Sequence, residues 1–293
     1  MEEPVKVILW STPRSLSTVL TKCLSFVPHS LIWYEPFVGA MRYGCDARYT
    51  RSEEDIDVKY DVPAGVGYEA KYTDYLWYKH QLEADFREKE VVFVKANSYA
   101  ITTRYDAIPD GYKHSFLIRH PLKVLASWKK GIYQNDKDGP YDAFSLSSLP
   151  ESRVPSGYFF KEMYDLYQHI KDNYDSDPVV LDGDDLAMNP GTVLKAYCNA
   201  MGIPYTDDLL QWNPGYEIIQ KWQVSRELLH FDFLKQMKTA LSSSKFCKPS
   251  RSKEATTADL CKADLHCLDY CMPYYAKLRM GRLRKSRKCK EMG

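Results

Sequence analysis

The first apolar run in the chain, Val5-Lys-Val-Ile-Leu-Trp10, is short and rich in β-branched residues. It predicts a buried parallel strand rather than a helix. Directly after it the period changes: Leu16, Val19, Leu20, Cys23 and Leu24 fall at i, i+3, i+4, i+7 and i+8, the apolar stripe of an amphipathic helix. Ser30-Leu-Ile-Trp-Tyr34 then reads as a second strand, ended by Glu35-Pro36. Strand, loop, helix and strand in this order make a βαβ unit.

The alternation continues. A helical stretch over Asp74–Arg87 leads to the strand Val91-Val-Phe-Val-Lys95, and His114-Ser-Phe-Leu-Ile118 predicts another before a helix opening at Pro121. Proline suits a first helical position. A helix over Gly157–Asn173 precedes a fifth strand, Pro178-Val-Val-Leu181. The next helix runs from Pro190 to Met201, with Val193, Leu194, Tyr197 and Met201 on one face and Gly202 as its C-cap. Such alternation predicts a three-layer α/β/α domain around a central, mainly parallel sheet, spanning 1–293 as one unit. Residues 39–72 read as a long loop or lid, 241–259 as a mobile Ser-rich basic segment, and Arg279 to Lys290 as a basic C-terminal tail.

Composition narrows the function. Forty basic residues against 39 acidic ones leave a net charge of +1, so there is no global basic field for nucleic acid and any anion site must be local. No stretch approaches a membrane span, and the N-terminus lacks the features of a secretory signal. The expectation is a cytoplasmic protein whose eight cysteines are free thiols. Cys261, His266, Cys267 and Cys271 offer a single i, i+4 cysteine pair rather than the paired spacings of a zinc site, so they read as buried thiols and no metal is expected.

A turn from strand to helix points backbone N–H groups and a positive helix end at whatever lies above it. Here Ser11-Thr-Pro-Arg-Ser-Leu-Ser-Thr18 adds Arg14, Ser15, Ser17 and Thr18 as donors to an oxyanion. An ordinary capped helix is the plainer alternative. The loop is not a Walker A sequence, since no glycine lies between residues 1 and 38. A second element, Arg119-His-Pro-Leu-Lys-Val-Leu-Ala-Ser127, puts an arginine at a strand end and a serine slightly more than two turns into the following helix.

Together these elements resemble the PAPS-dependent sulfotransferase family, where PAPS is 3′-phosphoadenosine 5′-phosphosulfate. The resemblance lies in Arg14-Ser15-Leu16-Ser17-Thr18, in Arg119, Pro121 and Ser127, and in Asp182-Gly-Asp-Asp-Leu186 with Asn189-Pro190 and Met201-Gly-Ile-Pro204. It implies a P-loop-like sulfotransferase fold. It also implies that Arg14, Ser15, Leu16, Ser17 and Thr18 bind the 5′-phosphosulfate, that Arg119 and Ser127 bind the 3′-phosphate, and that PAP is the product. Leu16 stands where the family usually has glycine, Gly183 where an aromatic is often found, and Lys95-Ala96-Asn97 where the phenol and steroid branch has Lys-Thr-His. Tyr34-Glu35-Pro36-Phe37 is similar to the Glu-Pro segment of the carbohydrate-type and bacterial branch.

Sulfuryl transfer needs a base for the acceptor proton and positive groups on the departing phosphate. Glu35, at the carboxyl edge of the sheet where ligands bind in open α/β folds, is the expected general base, with Arg14 and Lys95 beside it. The alternatives are a structural Glu35 paired with Arg14 or another cation, and His114 or His120 as base. The expected acceptor is a hydroxyl, or in second place an amine, of a small molecule or sugar; a homodimer is compatible with the sequence. A catalytically silent nucleotide-binding protein and a small-metabolite kinase are the competing functions.

Overall fold

The structure, a computed structural model, describes residues 3–49, 66–136, 139–229, 231–247 and 254–283. Strand β1, Val5–Ser11, enters half-buried and ends with five buried residues. The expected change of period follows as α1, Ser17–Leu24, and then β2, Ser30–Tyr34. Helix α2, Pro36–Tyr43, starts at once because Pro36 occupies its first turn. It therefore replaces the first part of the expected 39–72 loop. Residues 50–65 of that loop lie outside the described residues, and Ala70–Tyr72 forms a 3₁₀ turn.

Helix α3 covers Tyr75–Leu82, shorter than expected, and β3 covers Val91–Asn97 with every residue buried. The remaining strands are β4, Lys113–Ile118, β5, Val179–Asp182, and the two-residue β6, Trp222–Gln223. Among the described residues they form one parallel sheet ordered β5-β4-β1-β3-β2-β6. Burial of both faces of β1 and β3 requires cover on both sides, which produces the layered α/β architecture. The cover includes α4, Pro121–Asp136, α5, Phe160–Asn173, α6, Gly183–Met188, and α7, Pro190–Met201.

Two further helices, α8, Phe231–Leu241, and α9, Lys262–Met280, complete the elements that matter here. They flank the segment 241–259 that the sequence suggested as mobile, and α9 runs only into the first two residues of the expected tail. Buried Lys22 of α1 donates to the carbonyls of Leu241 and Ser243, tying α1 to the end of α8. Cys267 and Cys271 are buried on α9. Arg279 and Arg282 are not a solvated tail: they pair with Asp182 and Asp185 at the end of β5. Residues 248–253 and 284–293 lie outside the described residues.

His114, weighed above as a base, is fully buried within β4, and its Nδ1 accepts a hydrogen bond from Trp10 Nε1 at 3.1 Å. Burial pushes its pKa down to about 4. The folded state thus holds His114 neutral while the unfolded chain binds a proton below about 6.5. Its contribution is complete above that pH and is lost as the pH falls toward 4, by about 3 kcal/mol in all. His114→Asn keeps an acceptor for Trp10 but does not titrate. Urea unfolding of the variant should therefore show a flatter loss of stability between pH 6.5 and 4 than the parent, and equal slopes would refute this account.

Candidate active site

Register places four strand ends side by side. Ser11 at the end of β1 is opposite Asn97 of β3 and Leu117 of β4, and Tyr34 at the end of β2 is opposite Lys95. Arg14 to Thr18, Glu35 and Arg119 follow this carboxyl edge and Lys95 lies near the end of β3, where an open parallel sheet leaves a crevice, whereas Ser127 lies within α4.

The turn after β1 is built by unusual backbone. Arg14 and Leu16 adopt left-handed φ values of 61° and 76°, and Glu35 one of 55°. Three of the seven non-glycine residues with positive φ in the described chain therefore cluster at this edge, a concentration of strain typical of functional sites. Leu16 holds the N-cap position of α1 in a conformation that favours glycine, without a side-chain cap. Ser15 Oγ donates to the Thr12 carbonyl at 2.7 Å and fastens the turn from inside. Among the described residues, the amide N–H groups from Arg14 to Val19 meet no acceptor, which makes the concave turn a ready anion cradle.

Two arginines border it. Arg14 Nε donates to Ser127 Oγ at 2.9 Å and its Nη1 to the Gln236 carbonyl of α8 at 2.8 Å. Ser127, the seventh residue of α4, is thus held by Arg14 rather than by Arg119, and the two sequence elements meet through that bond. Arg119 Nη1 donates to the Arg14 carbonyl at 3.1 Å, and its Nε approaches Asp184 at 3.4 Å, beside Lys123. Burial and then the charge of Arg119 lower the pKa of Arg14, so a bound anion would relieve both effects. At Gly183 a Cβ would lie 2.6 Å from the Ser15 carbonyl oxygen. The missing aromatic at this position has a plain cause: the turn packs against bare backbone.

The second half of the site is a buried pair. Glu35, the N-cap residue of α2, is 3% exposed, and its Oε1 accepts from Lys95 Nζ and, at 2.8 Å, from Asn97 Nδ2. Its partner is therefore Lys95 and not Arg14. Its Oε2 is buried and has no hydrogen-bond partner among the described residues. Burial raises the Glu35 pKa, against the opposing pull of Lys95 and Asn97, and burial lowers that of Lys95 against the pull of Glu35. Asn97, which stands where the phenol and steroid branch has histidine, also accepts from Ser11 Oγ at 3.1 Å. Thr18 Oγ1 and the Tyr34 hydroxyl share a hydrogen bond of 2.8 Å, and Tyr34 lies under Lys95 and stacks on Trp222. These contacts join the anion turn to the carboxylate. His120 stands apart, its Nδ1 accepting from the Leu122 amide and its ring against Tyr275.

Fold and site together define an α/β protein with a concave turn of unpaired amides beside a buried carboxylate–lysine pair. No protein-family model matches the chain. It is 23% identical over 225 residues to branched-chain-amino-acid aminotransferase-like protein 1 of Arabidopsis thaliana, covering 73% of this chain and 33% of that protein. The chain spans roughly a third of the length of the curated relatives it matches. Among solved structures it is similar to the sulfotransferase domain from the Synechococcus PCC 7002 olefin synthase, with 16% identity, a TM-score of 0.47, and coverage of 92% of this chain and 95% of that one. It is also similar to the sulfotransferase domain from the curacin biosynthetic pathway, with 15% identity, a TM-score of 0.46, and coverage of 95% and 98%. Among the described residues, no helix is long and apolar enough to cross a membrane.

Proposed function

We propose that the chain is a PAPS-dependent sulfotransferase that moves a sulfuryl group to a hydroxyl, or in second place an amine, of a small molecule or sugar. One observation carries the reading: a cradle of unpaired amides flanked by Arg14 and Arg119 is joined through Ser11 and Asn97 to a buried carboxylate with one free oxygen. In this reading the amides of Arg14 to Thr18 and the Arg14 guanidinium bind the 5′-phosphosulfate, and Arg119 with Ser127 the 3′-phosphate. PAPS supplies the sulfuryl group and leaves as PAP with the electron pair of the broken sulfur–oxygen bond. Glu35 Oε2 takes the acceptor proton as the new sulfur–oxygen bond forms. Lys95 and Asn97 fix Oε1, so the free oxygen has one orientation and the carboxylate stays ionised despite burial. Arg14 and Arg119 stabilise the charge that gathers on the departing phosphate.

Turnover of labelled PAPS with a panel of alcohols, phenols and amines tests the reading, with PAP binding by calorimetry alongside. Arg119→Ala should weaken PAP binding by about 1.5–3 kcal/mol, through loss of a charge-assisted hydrogen bond. Unchanged affinity would remove Arg119 from the nucleotide site. PAP binding without any sulfated product would favour a silent binding protein, and stabilisation by ATP instead of PAP would favour a kinase.

A further inference from the structure

Helix α2 carries a second charged group toward the same place. Arg42 lies seven residues beyond Glu35, two turns along the same helical face and a rise of about 10 Å. Its partly buried side chain donates through Nη2 to the Ser152 carbonyl. Its Nε is buried and meets no acceptor among the described residues. The guanidinium faces the hydroxyl of Tyr99, a buried residue in the 3₁₀ turn Ser98–Ile101 that leaves the end of β3. Helix α2 packs against that turn, and Glu35 at the start of α2 feels the charge of Arg42, as Tyr99 feels that of Glu35.

The charges on this side do not balance. Among the described residues no carboxylate lies within ion-pair distance of Arg42, and Glu35, which feels its charge, is engaged by Lys95. Lys95 and Arg42 together face one carboxylate, a local excess of one positive charge. A partly buried guanidinium without a counter-ion attracts an anion. Its unfilled Nε is half of the fork that grips a carboxylate or phosphate through parallel hydrogen bonds.

We infer that the acceptor is itself an anion, a small molecule whose carboxylate or phosphate is held by Arg42 and Tyr99 while its hydroxyl meets Glu35. The inference rests on the sulfotransferase reading of Glu35 and sharpens it to a substrate class. Arg42 acts here as a specificity-determining residue, without touching the transferred group.

Calorimetry with and without PAP tests it, using ω-hydroxycarboxylates, ω-hydroxyalkyl phosphates and the corresponding diols of two to six carbons as probes. The parent should bind at least one anionic series about tenfold or more tighter than the diols, and the tighter series names the anion. Arg42→Gln should weaken that binding by about 10- to 100-fold and close the gap to the diols. Diols binding as tightly as the anions, or anion binding indifferent to Arg42→Gln, would overturn the inference. If Arg42→Gln does not fold, Arg42→Lys decides: it keeps the charge but not the fork, so anion affinity should still fall several-fold, and parental affinity would count against the proposal. Absence of PAP binding would strike the sulfotransferase reading alone, because anion binding that depends on Arg42 is read without nucleotide.

Discussion

Glu35→Gln should lower turnover with PAPS by about 100-fold or more while leaving PAP affinity close to that of the parent. The amide keeps the shape of the side chain and leaves the anion turn untouched, but Oε2 loses its capacity to accept a proton. The parent should also show an acidic limb in kcat/KM above the ordinary carboxylate range, because burial raises the Glu35 pKa. That limb should vanish in the variant. The substitution removes the counter-charge of buried Lys95 as well, so turnover has to be read at a temperature where circular dichroism shows the variant folded. A fully active, folded variant would eliminate Glu35 as the base.

Lys95→Met should be the most destabilising single change at the site. Its expected cost is about 3–5 kcal/mol at neutral pH, because it strands a buried carboxylate without its partner. The sign of the pH dependence follows from the same group. With Lys95 gone, burial is opposed only by Asn97 and Arg42, and the folded pKa of Glu35 stands further above the unfolded value of 4.5. The penalty is therefore absent below that value, where the carboxyl is protonated in both states, and grows as the pH rises toward the folded pKa. Denaturant melts at pH 5 and pH 8 should find the variant closer to the parent at the lower pH. A larger deficit at pH 5 would contradict the ion pair.

Local pattern made the front of the fold legible. The apolar run ending at Trp10, the stripe from Leu16 to Leu24 and the Glu35-Pro36 stop correspond to β1, α1 and β2. Pro190 and Gly202, with its φ of 79°, bound α7 where the sequence put it. The candidate site residues were also legible as types at strand ends. Their partners were not, because those depend on register between distant segments. Only the strand pairing shows that Asn97 is bonded to Ser11 on one side and to the Glu35 carboxylate on the other. Likewise, no spacing indicates that Arg14 reaches the carbonyl of Gln236 in α8, or that Gly183 makes room for the Ser15 carbonyl. The two-residue β6 is too short to carry a period, and α9 hides its apolar face among charges and an internal Pro273.

The way the site is shared among strands has a further consequence. One half is held by the segments after β1 and β4, through Arg14, Ser127 and Arg119, and the other by those after β2 and β3, through Glu35, Lys95 and Asn97. Among the described residues, the side-chain bonds between the halves are Ser11 to Asn97 and to the Ala96 carbonyl, Ser98 to the Ser11 carbonyl, and Thr18 with Tyr34. Substitutions lying well inside opposite halves should then combine additively, while those at these bridges should not. Such a seam lets one half drift toward new partners while the other keeps its turn of unpaired amides.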